Sequence, residues 1–199
     1  MRRIDKNPNS SILAKKIMYK EKGNNKMLAS LLHNEQYHLC AYTEEYISRT
    51  DKGDIEHFNP TLKGQNGDGY YNWFLVKAQW NLEKGDSRRW YKFQPMMHPT
   101  ASDFESRILY DKGRYILADP NDLEARNLRN YLKLDDEHLS KKRINYIRRL
   151  KNAIALSGLT NQEYIDWQIS QEEDRETIFY IRAIQEELHI RVNFDLLNT

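Results

Sequence analysis

The sequence predicts an α+β fold, a small irregular αβ centre held by helices on both flanks. Three observations predict it. The first 39 residues carry apolar side chains near helical spacing. From about residue 40 to 95 the pattern changes to short apolar runs broken by Gly, Asn, Asp and Pro. After Pro120 the chain reads as helix to its end. The segments are therefore an N-terminal helical segment over 1–39, a core over 40–118 and a C-terminal helical region over 119–199.

The first helix is expected in "NSSILAKKIMYKEKG", capped by Asn or Ser and ended by Gly23. The second lies in "NKMLASLLHNEQYHL", where Leu28, Leu31, Leu32 and Leu39 fall near helical spacing. Two or three short strands follow around the loop "LKGQNGDGYYN", among them "DIEHF" and "WFLV". "QWNLEKG" reads as a short helix closed by Gly85. "SDFESRILYDKGRYIL" reads as a hairpin turning at "DKG". Beyond Pro120, one helix presents Leu123, Leu128 and Leu132. The next presents Leu139, Ile144, Ile147, Leu150 and Ile154 and ends at Gly158, and one or two more follow. There is no repeat, low-complexity stretch or flexible linker.

Hydrophobic residues make up 39% and charged residues 30%, enough for a core under a very polar surface. The net charge of +2 supplies no global basic field, so any nucleic-acid face must be local. The opening "MRRIDKNPNS" is charged and polar, unlike an export leader, and no apolar run approaches a membrane span. Cys40 is the sole cysteine, which excludes an intramolecular disulfide and a four-cysteine zinc site and fits a reducing cytoplasm.

The residues with chemical promise begin with Glu56 and His57. On a regular strand adjacent side chains face opposite ways, but a bend at the strand end brings both to one site. Glu56 is a hard oxygen ligand suited to Mg²⁺ or Mn²⁺, and His57 is a candidate general base. Taken alone, such a pair is most often a surface pair. Two asparagines downstream change that balance. Asn72 in the loop and Asn81 in the short helix each suit either bracing backbone or offering an amide oxygen to a hard metal.

This order of strand with His, loop with Asn, strand, and helix with Asn resembles the ββα-metal fold of HNH nucleases, in the variant whose last motif residue is Asn. The resemblance implies that His57 activates water and that Asn72 braces the loop orienting it. Glu56 and Asn81 would hold one divalent ion, stabilising the leaving O3′ and the pentacovalent phosphate. Lys84 would contact a phosphate. The run "LLHNEQYHLCAYTEEYI", with "IEHFNP", "NWFLV" and "NLEKG", is similar to the HNH family associated with retrons and Septu-type antiphage defence. The likeness extends through "MMHPTASDFESRILYDKGRYI" and "LEARNLRNYLKLDDEHLSKKRINYIRRL", covering roughly 28–150. It implies DNA as substrate, with RNA left open, and an SMC/ABC-like ATPase as partner. A retron reverse transcriptase and its DNA are further partners it allows.

One departure explains "CAYTEEYI" at 40–47. The family pattern has Cys-x-x-Cys here and again just before the final Asn, four thiolates around a structural zinc. Those positions hold Cys40, Thr43, Lys77 and Trp80, so no structural zinc is expected. A zinc knuckle contributes on the order of 10 kcal/mol to folding. Tyr42 and Trp80 are the candidates to pack the vacated space.

The cluster Trp73, Trp80, Trp90, Tyr70 and Tyr71 reads as core packing ahead of base stacking. "KKR" at 141–143 and "RR" at 148–149 read as a solvated helix face ahead of a DNA or ATPase contact. His98 and His138 read as loop or surface residues, and Glu105 receives no chemistry. The leading function is a metal-dependent DNA endonuclease subunit of a defence complex. The alternative is an eroded nuclease serving as an interaction subunit. A sequence-reading DNA-binding module is set aside, because charge is near neutral and no helix-turn-helix pattern occurs. The helices beyond Pro120 exceed what a small core needs for cover and are expected to dock the ATPase.

Overall fold

The computed structural model describes residues 1–197. The fold is α+β, with two separate two-stranded antiparallel sheets among helices. The first helix is much shorter than expected: α1 spans only Ser11–Ala14, with the Ser10 hydroxyl accepting from the Ile12 amide. A local turn takes the place of its continuation. The Asn25 side chain accepts from the Lys20 amide and donates to the Lys20 and Gly23 carbonyls, an alternative to helical pairing. The second helix, α2 (Lys26–Glu35), forms and buries Leu28 and Leu32, but it stops four residues before Leu39, which instead makes an antiparallel bridge with Tyr46.

The centre follows. β1 (Gly53–His57) pairs with β2 (Trp73–Lys77), placing Glu56 opposite Phe74 and His57 opposite Trp73. α3 (Ala78–Lys84) follows β2 directly and stops at Gly85, which adopts a φ of +81°. This is a ββα unit with a loop of fifteen residues, 58–72, between its strands. α4 (Ser87–Tyr91) is capped by the Asp86 carboxylate. α5 (Phe104–Arg107) leads into the expected hairpin of β3 (Ile108–Asp111) and β4 (Arg114–Leu117). Lys112 and Gly113 both have positive φ at its turn, as a tight antiparallel hairpin requires.

Four helices complete the described chain: α6 (Leu123–Tyr131), α7 (Glu137–Ser157), α8 (Asn161–Ser170) and α9 (Ile181–Leu188), before a last turn, α10 (Phe194–Leu197). Gly158 ends α7 in the left-handed conformation, as its position predicts. No helix among the described residues is long and apolar enough to cross a membrane.

Side chains from all three sequence segments meet in one core, which runs from Met1 through Phe74 and Phe104 to Leu134. A second core joins Leu39 to Ile147, Ile154, Ile165, Ile184 and their neighbours. The apolar stripes of the C-terminal helices are thus largely covered by each other rather than left free. Leu123 and Ile144 are exceptions to the expected inward set, both being exposed, while Leu156 stands 89% exposed. The basic run at 141–143 also differs from a solvated face. Arg143 is buried and donates to the Gly113 carbonyl at 2.6 Å and the Leu134 carbonyl at 3.2 Å. It thereby joins α7 to the β3–β4 turn.

That turn leaves no room for a larger residue. A Cβ at Gly113, where φ is +87°, would stand 2.6 Å from Ile144 Cγ1 and 3.0 Å from the Ser140 carbonyl. Gly113→Ala is expected to lower unfolding stability by about 1–3 kcal/mol, read as a lower urea midpoint at unchanged slope. An unmoved midpoint refutes this account of the turn.

Candidate active site

The ββα unit presents two rows. Asp54 and Glu56 alternate along one face of β1, the face toward α3, so each acid meets one polar residue of that helix. The Asn81 amide donates to Asp54 Oδ2 at 3.3 Å. Lys84, one turn on, brings its ammonium against Glu56. Glu56 has no exposed surface, and its other oxygen accepts from the buried Tyr42 hydroxyl. Lys84 also donates to the carbonyls of His57 at 2.7 Å and Phe58 at 3.2 Å. Burial pushes the Glu56 carboxyl up and the Lys84 ammonium down, and each opposes the other's shift.

This arrangement corrects two expectations. Lys84 is buried with its donors engaged inside the protein, so it is not placed to contact a phosphate. Nor do Glu56 and Asn81 form a metal pair. A Mg²⁺ or Mn²⁺ ion needs several oxygen ligands and usually keeps waters, but Glu56 faces Tyr42 and Lys84 with no open side, and Asn81 is turned to Asp54. As arranged, these residues do not fit a divalent ion. The Lys84 ammonium holds the position of positive charge beside Glu56.

His57 lies on the opposite side, at the end of β1. Its Nε2 is 3.1 Å from Asp68 Oδ2, within ion-pair range though off the direction of a good hydrogen bond. Asp68 is itself held: its Oδ1 accepts from Asn72 Nδ2 at 3.0 Å and from the Trp73 indole at 2.8 Å. Asn72 also accepts from the Asn59 amide at 2.7 Å and donates to the Asn59 carbonyl at 3.1 Å, while its own carbonyl accepts from the Phe58 amide. Asn72 therefore joins both ends of the 58–72 loop and orients Asp68 toward His57.

No protein-family model matches the chain, and no curated protein matches it.

The chemistry is thus read from the residues themselves. Burial holds the His57 imidazolium below its usual range, with Asp68 opposing and Lys63 reinforcing the shift. His57 is then neutral near pH 7. A carboxylate facing Nε2 favours the tautomer protonated there, which leaves Nδ1 as the basic nitrogen. The Tyr19 ring stands on edge against the imidazole, centroids 4.6 Å apart, so the segment after α1 covers the histidine. Lys63, exposed and with its ammonium 5.4 Å from the Tyr19 ring, is a cation at this side of the unit.

Asp68, Tyr19 and Lys63 were not singled out from sequence. The one local signal for Asp68 is its "GDG" setting, four residues before Asn72, where it reads as an ordinary turn acid. Of positions 40, 43, 77 and 80, the first and third are in contact. Cys40 is buried, and its Sγ accepts from the Lys77 amide at 3.4 Å. Tyr42 is buried nearby under Glu56, whereas Trp80 turns its indole to the Leu132 carbonyl at 3.1 Å. His33 and His38 pack ring to ring at 4.3 Å, and His33 Nε2 lies 2.9 Å from the Ile47 carbonyl.

The buried pair gives a stability test. Glu56→Gln or Lys84→Met alone leaves one buried charge without its partner and is expected to cost about 3–5 kcal/mol. The double variant is expected to cost well below the sum of the two. Additive losses in urea unfolding refute the coupling.

Proposed function

We propose that the chain is an HNH-type phosphodiester hydrolase subunit acting on DNA, with His57 as the general base. The observation that carries this reading is the ββα unit in which Asn72 ties the loop and Asp68 faces the His57 imidazole. In this reading Asp68 fixes the tautomer and His57 Nδ1 takes a proton from the attacking water. The water oxygen bonds phosphorus as the P–O bond to the leaving oxygen breaks, that oxygen takes its proton from solvent, and Lys63 meets the phosphate charge. No step is drawn through a metal at Glu56 and Asn81. The ATPase partner, the reverse transcriptase and the defence role rest on the resemblance alone.

The buried Glu56–Lys84 pair favours a second reading. In that reading the unit has exchanged catalysis for structure and serves as an interaction subunit of the same complex.

The two are separated by plasmid cleavage, with the full chain assayed alone and with its neighbouring ATPase, in Mg²⁺ and in Mn²⁺. On the hydrolase reading, His57→Ala lowers cleavage by roughly 10²–10⁴-fold in protein that circular dichroism shows to be folded at the assay temperature. Cleavage by wild type that His57→Ala leaves at full rate, or no cleavage under any of these conditions, overturns it. The pH profile adds a signed test. A base whose proton affinity is depressed stays active down to lower pH, so the acid limb has its midpoint below about 6.5. Asp68→Asn removes the charge that raises this value, so the variant is slower and its acid limb lies lower still. A limb above 6.5, or one moved upward by Asp68→Asn, contradicts the assignment.

A further inference from the structure

The loop braced by Asn72 has a second side. There a pocket of about 480 Å³ opens between the 58–72 loop and the segment 90–98. Its walls are largely apolar and aromatic, with Phe58, Leu62, Tyr71, Trp90 and Met96. Phe58 directly follows His57, so the pocket begins one residue from the proposed base. Tyr71 is 53% exposed and packs edge-on against Tyr70 at 5.3 Å, which leaves a ring at the mouth.

The rim is polar in a particular way. His98 Nδ1 accepts from the Thr100 amide at 3.3 Å and lies 2.7 Å from the Thr100 hydroxyl. Burial holds its pKa down to about 4, so the ring is neutral near pH 7 and its proton sits on Nε2. Among the described residues no partner meets that Nε2–H, Gln94 Oε1 or Asn59 Nδ2. All three residues line the pocket. None of the three atoms is a buried group lacking a partner, so each is open to a ligand that carries donors and acceptors, and an aliphatic side chain offers them nothing. A flat group with donors and acceptors along one edge would satisfy them while its faces meet the aromatic walls. Exposed lysines stand nearby in the chain: Lys63 directly after Leu62, and Lys92 two residues after Trp90.

We propose that this pocket receives one unpaired nucleobase of the strand presented to His57, so that the substrate is single-stranded or locally opened nucleic acid. The inference rests on the hydrolase reading for its strand but is tested without cleavage. Full-length protein in chelator, with no divalent ion, is titrated with a twelve-residue oligothymidylate and with the same sugar–phosphate strand lacking its bases. Binding is read by tryptophan fluorescence and by anisotropy.

The base-carrying strand is expected to bind at least tenfold more tightly. Tyr71→Ala, at an exposed position, is expected to weaken that strand about tenfold and leave the base-free strand unchanged. Gln94→Leu, also exposed, is expected to act in the same direction. Equal binding of the two strands, no binding of either, or indifference to Tyr71→Ala overturns the pocket assignment. Those outcomes leave the hydrolase reading standing on the plasmid assay. A base-dependent preference together with full cleavage by His57→Ala sinks the hydrolase reading and keeps the pocket.

Discussion

A carboxylate without exposed surface lies at the centre of the ββα unit, and its surroundings follow from that. Glu56 cannot remain charged inside a protein without a cation and hydrogen bonds. The cation comes from Lys84 in the last turn of α3, and the hydrogen bond from Tyr42 in the turn after α2. Three stretches of chain are drawn to one point. Lys84 does more than neutralise: its bonds to the carbonyls of His57 and Phe58 fix the backbone where β1 ends. The interaction that satisfies Glu56 therefore also sets the base of the histidine. A metal knuckle elsewhere in such a unit would pin strands to helix from outside. Here a buried ion pair pins them from within, beside a lone thiol that only accepts an amide.

The elements were legible where a single physical signal dominates. Gly158 and Gly85 end helices, "DKG" turns a hairpin, and the short apolar run "WFLV" forms the buried strand β2. The positions of His57 at a strand end and Asn72 in the loop before the next strand were legible from the order of strand, loop, strand and helix. Asp68 was not, because an acid between two glycines looks like every other polar turn. Lys84 was found but misread. Sequence gives its spacing from Asn81, not the direction of its side chain, and a lysine is assumed to reach water. Its burial is decided by Glu56, twenty-eight positions earlier. The first helix failed for a comparable reason. Its Ser10 cap is real, but Asn25 offers the backbone a closed set of hydrogen bonds after α1, and Tyr19 finds its contact on His57 instead of a helix partner.

The two cores are joined by buried arginines, each bonded to backbone carbonyls of separate segments, with Arg182 also 3.5 Å from the Glu186 carboxylate. Arg182 donates to the carbonyls of Met1 and Glu105 at 3.2 Å, and its guanidinium lies 5.5 Å from the Tyr115 ring. Arg143 lies over the same ring at 4.7 Å. Tyr115 in turn donates to Glu44 at 3.2 Å. A guanidinium suits this role because its several donors reach separate carbonyls in one plane, which an ammonium does not. The C-terminal helices are consequently part of the framework that holds the β3–β4 hairpin and the N-terminal residue Met1 together, and not a free annex.

This use of charge bears on how the protein holds a polyanion. Of the run at 141–143, Arg143 is internal, Lys142 pairs with Glu45 and Lys141 pairs with Glu137. Lys151 pairs with Glu187 and Lys133 with Glu83. The basic residues that look like a stripe in the sequence are mostly engaged by acids or by backbone. Counterion release scales with the number of phosphates neutralised, so a surface of this kind gives a shallow salt dependence and weak non-specific hold. Grip on a strand must then come from short-range contacts, where burial and stacking act irrespective of net charge. The aromatic pocket beside the braced loop is a surface of that kind, and Lys63 directly follows Leu62 of its wall while its ammonium faces the Tyr19 ring that covers the imidazole.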